Sequence, residues 1–250
     1  MIQAIDVHSH VNHGSQNDAE ESAIYKADLD TLQTINRNAG IKTMLCSTFA
    51  SVLSTEQVEE ENEYMFELAR KTEGLYQWVV IDPRNERTFE QAATMIHDPK
   101  CVGIKLHPPG HQYTLEEFGD KLFSFAASHH AIVQIHPETE ADYILPFANA
   151  YPDVTFIMSH LGSYGGTTYA DAIVRAKYGN VYTDTSGIAS SKNMVIEYTV
   201  GRVGSERILF GTDTYAAGFH KGRIEYALIK DTDKENILWR NAQRLFGKAL

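Results

Sequence analysis

Short apolar, β-rich segments recur eight times along the chain, and each is followed by helical periodicity or helix stop signals. They read AIDVHSH (4 to 10), KTMLCS (42 to 47), LYQWVVI (75 to 81), CVGIKLH (101 to 107), AIVQIH (131 to 136), VTFIMSH (154 to 160), NVYTDTS (180 to 186) and RILFGTD (207 to 213). Between them DLDTLQTINRNAG closes at Gly40 and EQVEEENEYMFELARKTEG at Gly74, as helices commonly do. LEEFGDKLFSFAASHH and the final KENILWRNAQRLFGKAL are further helix candidates. Strand starts fall roughly 25 to 40 residues apart, the size of a βα unit. Eight such units in 250 residues predict a (β/α)8 TIM barrel rather than an open doubly wound sheet. No linker, low-complexity tract or charge block divides the chain, so residues 1–250 read as a single domain.

Strict alternation then sorts side chains to the two faces of each strand. With His8 and His10 inward, Ile5 and Val7 fall outward; with His136 inward, Val133 and Ile135 fall outward; with His160 inward, Ile157 falls outward. Asp213 inward leaves Ile208 and Phe210 outward, and Lys105 and His107 share one parity against Ile104 and Leu106. Each polar residue in this set sits at or near the C-terminal end of its strand, where barrel active sites are built.

Composition narrows the classes. At 43% hydrophobic the chain buries a sizeable core. No apolar run approaches the ~20 residues of a membrane span, and the N-terminus lacks the basic and apolar regions of a signal peptide, which predicts a cytoplasmic protein with no membrane partner. A net charge of −11 works against a phosphate backbone, so nucleic acid is not expected as a partner. Cys46 and Cys101 lie in separate apolar segments and read as buried free thiols.

The chemistry rests on His8, His10, Lys105, His107, His136, His160 and Asp213. Several neutral imidazoles and a carboxylate converging on one mouth are what a divalent transition metal needs, with a coordination position left for water. His13, His111 and Tyr113 lie in loops at the same mouth as candidate substrate contacts, whereas His97, His129, His130 and His220 read as structural.

The ordered pieces DVHSH, GIKLHP, IVQIHPE, FIMSHLG and ILFGTDT, one per strand, with the terminal ENILWRNAQRLFG, resemble the amidohydrolase superfamily and, within it, the amidohydrolase-related branch. That resemblance implies one divalent metal, zinc first and manganese second, on His8, His10, His136 and Asp213. It makes His160 and Asp213 catalytic and gives Lys105 and His107 to substrate or to contacts behind the metal ligands; Tyr113 joins the substrate contacts by its place in the loop after strand four. It also implies a homodimer. A carboxylated strand-four lysine bridging two metals occurs in some superfamily members; GIKLHP suits the mononuclear branch. The implied reaction is hydrolysis of a C–N or C–O bond in a small polar molecule, with non-oxidative decarboxylation of an unsaturated or aromatic acid as the alternative. A TatD-like nuclease is disfavoured by GIKLHP in place of a glutamate-containing strand-four motif, and a scaffold without chemistry by the retained His and Asp set.

Overall fold

The computed structural model describes residues 2–14 and 26–247. Its eight strands are β1 (Ala4–Val11), β2 (Ile41–Thr48), β3 (Leu75–Val80), β4 (Cys101–Leu106), β5 (Ile132–Ile135), β6 (Thr155–Met158), β7 (Val181–Asp184) and β8 (Ile208–Leu209). All neighbours pair in parallel in the order β1 to β8. The ring closes where Val7 N donates to Phe210 O (2.9 Å) and Asp213 N to His8 O (2.8 Å). This is the expected (β/α)8 barrel. Helices follow the strands, and local signals set their ends: Asp28 caps Leu29–Asn38 by accepting from Thr31 N, and Gly40, at φ 74°, turns the chain into β2. The last helix is Asn241–Phe246; Lys248, Ala249 and Leu250, expected at its end, lie outside the described residues.

Two apolar layers share these strands. Ile104, Leu106, Val133, Ile135, Ile208 and Phe210 pack outward among helix residues such as Phe89, Phe123 and Ile196, as alternation predicts. A separate cluster gathers Ile5, Val7, Leu45, Trp78, Val102, Ile157 and Leu209, and Ala242 and Phe246 join it. Side chains from six strands meet this way only inside the barrel, so Ile5, Val7 and Ile157 point inward, contrary to the alternation argument. The reason lies in β1. Its pairing with β2 slips between Asp6 and Ser9, a bulge that inserts one residue and reverses the parity of the residues after it. Ile5 and Val7 therefore fill the barrel, and His8 and His10 also face its mouth. The Val7 carbonyl accepts from Trp78 Nε1 (2.9 Å) and Gln134 Nε2 (3.0 Å), donors on strands that do not neighbour β1. In β6 the strand ends at Met158, and His160 turns inward only beyond it, at φ 63°.

Candidate metal centre

His8, His10 and Asp213 converge where β1 meets the segment after β8. His8 Nε2 and His10 Nε2 lie 3.3 Å apart, and Asp213 Oδ1 stands 3.5 Å from the first and 3.3 Å from the second. Asp213 (φ 56°) and Thr214 (φ 73°) occupy the left-handed region, which for a β-branched residue such as Thr is an outlier costing on the order of 1–3 kcal/mol. Hydrogen bonds to β1 hold them there. His10 N donates to Thr214 Oγ1 (2.5 Å), and the Thr214 hydroxyl donates to His10 O (2.8 Å). Gly211 lets this segment approach: a Cβ on it would stand 2.9 Å from that of His8.

Beneath β1, the buried Asp6 carboxylate ties the two segments together by accepting from His8 N, Ser9 Oγ, Thr212 N and Thr212 Oγ1. Burial pushes Asp6 up to about 7, against the pull of these bonds.

Asp184, at the end of β7 and fully buried, organises the other side of His8. Its Oδ2 accepts from His8 Nδ1 (3.0 Å) and Gln134 Nε2 (3.3 Å), while Oδ1 accepts from His160 N, Ser186 N and Ser186 Oγ. Burial alone would raise its pKa, but the His8, His160 and Ser186 interactions outweigh it and hold the carboxyl well below its ordinary value. The NVYTDTS segment placed Asp184 at a strand end, the same signal that singled out the histidines, yet neither it nor Ser186 stood out from a polar strand terminus.

Burial first, and then the Lys105 charge, bring His8 down to about 3; burial likewise lowers His10. Both are neutral at pH 7. Asp213 is driven up by burial but held below the usual carboxylate range by its His10 hydrogen bond and by the neighbouring His8 and His160 rings. At most one proton separates the two Nε2 atoms and Asp213 Oδ1, and a divalent cation would satisfy all three lone pairs at once. The set fits a metal. His8, His160 and Asp184 form a second group, but there the Nδ1 atoms of both rings are engaged by Asp184 Oδ2 and Ser186 Oγ.

The remaining expected site residues are placed differently. His136 stands one ring away, 4.8 Å from His160 between centroids and stacked on His107 at 4.1 Å; its Nδ1 donates to Pro137 O. It is not in either compact donor group of the described residues. Burial and then the neighbouring His160 ring bring it to about 3. His107 Nδ1 accepts from Gly110 N, capping the short helix Pro108–His111 and leaving the proton on Nε2. Lys105 is completely enclosed, with Nζ 2.8 Å from His8 Nε2, 3.0 Å from Gln134 Oε1 and 3.5 Å from Ser159 Oγ, so it touches the donor set rather than the mouth. Tyr113 is buried in the outer core, and its hydroxyl has no hydrogen-bond partner among the described residues. Both cysteines are buried and free. A cleft of about 720 Å³ opens at the other end of the barrel, between the starts of β2 and β3, but among the described residues no histidine or cysteine lines it.

The amidohydrolase family model (Amidohydro_2) matches residues 5–248. The chain belongs to the amidohydrolase family. Solved structures of the same fold include 5-carboxyvanillate decarboxylase from Sphingomonas paucimobilis (13% identity, TM-score 0.77, 99% of each chain covered). Another is dihydroxybenzoic acid decarboxylase from Polaromonas sp. JS666 with bound manganese and the inhibitor 2-nitroresorcinol (16% identity, TM-score 0.75, 99% of this chain and 97% of that one). A third, from Pseudomonas putida, is assigned as a 2-pyrone-4,6-dicarboxylic acid hydrolase (16% identity, TM-score 0.69, 100% and 99%). At these identities the likeness is one of fold. No curated protein matches the chain. Among the described residues no helix is long and apolar enough to cross a membrane.

Proposed function

We propose that this amidohydrolase-family protein is a cytoplasmic metal-dependent hydrolase of a C–N or C–O bond in a small polar molecule. The reading is carried by one observation: His8 Nε2, His10 Nε2 and Asp213 Oδ1 converge within 3.5 Å at the barrel mouth, and Asp213 is still 23% exposed. His8, His10 and Asp213 would hold the ion. Two imidazoles and a carboxylate suit zinc; manganese, bound in the Polaromonas decarboxylase, is the second candidate. A divalent ion there supplies Lewis acidity toward water and toward a substrate carbonyl oxygen. Asp213, partly open to the mouth, takes one proton from the attacking water as the new C–O bond forms. It returns that proton to the departing nitrogen or oxygen as the old bond breaks. His160, beside His136 at the same rim, hydrogen-bonds the reacting group.

Decarboxylation is the second reading, and the fold shared with two decarboxylases of aromatic acids favours it. There the bond to the carboxylate carbon breaks, CO₂ leaves and a proton is placed on the ring carbon. Turnover of amides, lactones and aromatic acids in ¹⁸O-labelled D₂O separates the two. Hydrolysis puts ¹⁸O into the acid product, and Asp213→Asn lowers that turnover by at least ~10²-fold. Release of CO₂ with deuterium on carbon and no ¹⁸O-labelled acid overturns the hydrolase reading.

A further inference from the structure

The Ser186 hydroxyl touches three acidic or basic groups at once: Asp184 Oδ1 at 2.5 Å, His160 Nδ1 at 2.9 Å and His8 Nδ1 at 3.1 Å. A hydroxyl has one proton to give. Asp184 is a carboxylate and only accepts, so a contact as short as 2.5 Å commits the Ser186 proton to it; placed elsewhere, that proton would leave two sets of lone pairs facing each other. The same oxygen must then accept from His160, which puts a proton on His160 Nδ1. His8 Nδ1 is flanked by Ser186 Oγ and Asp184 Oδ2, both acceptors toward it, and must also carry a proton. Lys105 Nζ, a donor at 2.8 Å from His8 Nε2, requires a lone pair on that nitrogen and so agrees.

We propose that Ser186 and Asp184 are a pair of positioning residues: the Ser186 hydroxyl, oriented by Asp184 Oδ1, locks His160 in the Nδ1–H tautomer, and Asp184 Oδ2 locks His8 in the same one. Both rings then present an Nε2 lone pair, His8 toward the donor set and His160 away from Ser186. The two rings serve different parts of the site, yet one hydroxyl and one carboxylate fix both, as outer partners of metal-ligating histidines commonly do. Main-chain bonds stiffen the lock: Asp184 Oδ1 also accepts from the backbone of Ser186 and of His160. Gly187 leaves room beside the His160 ring, since a Cβ there would stand 3.2 Å from Nδ1. The lock operates whichever bond the enzyme breaks.

The test uses the metal-free full chain with ¹⁵N-labelled histidine and reads ring nitrogen shifts near neutral pH, with no substrate required. Wild-type protein should show His8 and His160 as Nδ1–H tautomers. Ser186→Ala should release His160 to a mixture or to Nε2–H while His8, still bonded to Asp184 Oδ2, keeps Nδ1–H. Asp184→Asn, whose amide can donate, should move His8 toward Nε2–H and weaken zinc binding ~10- to 100-fold. An Nε2–H tautomer of His160 in the wild type, or an unchanged His160 in folded Ser186→Ala, overturns the proposal. Should Asp184→Asn fail to fold, the Ser186→Ala comparison decides alone.

Discussion

At the lower end of the barrel, Ile5, Val7, Trp78, Ile157 and Leu209 fill the interior and Phe246 closes it; toward the mouth the interior holds His8, His10, Lys105, Gln134, Asp184 and Asp213. Both ends are buried, and both are made by inward-facing positions. The lower end is held by area removed from water, which is not directional. The upper end is held by matched donors and acceptors, where each proton has an assigned place and any unpaired group is costly. The bulge in β1 lets one strand serve both, because it presents Val7 and His8 to the same interior in succession. Metal binding belongs to the polar end, and most of the area removed from water to the apolar end.

The largest test of that division removes one side chain from each end. Trp78→Ala takes away a 1%-exposed indole and a donor to the Val7 carbonyl, and should cost ~3–5 kcal/mol in denaturant unfolding while metal content under native conditions stays at wild-type level. His10→Ala should do the reverse, emptying the site with a much smaller loss of stability. A Trp78→Ala protein that is folded yet loses its metal would join the two ends into one unit.

Acid should distinguish the ends next, since the titrating groups lie in the upper one. His8 and His136 have folded values of about 3 against an ordinary 6.5, so between those limits the unfolded chain binds protons the native one does not, and stability rises with pH. Asp6 works oppositely: raised from 3.8 to about 7, it keeps a proton in the native state that the unfolded chain releases, and its stabilisation is lost as pH rises. Two histidines against one carboxyl leave a net gain of roughly 1.4 kcal/mol per pH unit from about pH 4 to 6.5. Burial holds His10 and His107 low too, which adds in the same direction. Chemical denaturation of the metal-free protein at three pH values in that range measures the slope; a flat or falling profile would mean these rings are not neutral in the fold.

The barrel itself was legible in the sequence because its signal repeats eight times, and an error of a residue at one strand end does not disturb the period. Strand ends marked by His or Asp located the mouth for the same reason. Three things were not legible. The β1 bulge depends on pairing with β2, so strict alternation assigned Ile5 and Val7 to the wrong face, and the early end of β6 did the same for Ile157. Asp184 and Ser186 were visible as letters in NVYTDTS, but their weight comes from atoms of His8 and His160 that only the closed barrel brings together. Lys105 shared the parity of His107 as expected, yet its length carries Nζ back to His8 beneath the mouth.

That last placement gives the smallest and sharpest test. Lys105 is wholly enclosed, and burial lowers it only to about 8, so at pH 7 its ammonium is charged and donates to the His8 Nε2 lone pair that a metal would use. A cation entering the donor set must displace that hydrogen bond. Lys105→Met keeps the length of the side chain and removes the charge; exchanging a buried charge for a packed apolar group is often neutral, so stability should change by no more than about 1 kcal/mol even though Gln134 and Ser159 lose a partner. With the competitor gone, zinc affinity at pH 7 should rise by about fivefold, the equivalent of one hydrogen bond of ~1 kcal/mol. Calorimetric titration of the wild type and the variant reads this directly. A fall in affinity, together with a wild-type mass increase matching carboxylation of Lys105, would instead make the lysine a metal ligand and the site binuclear.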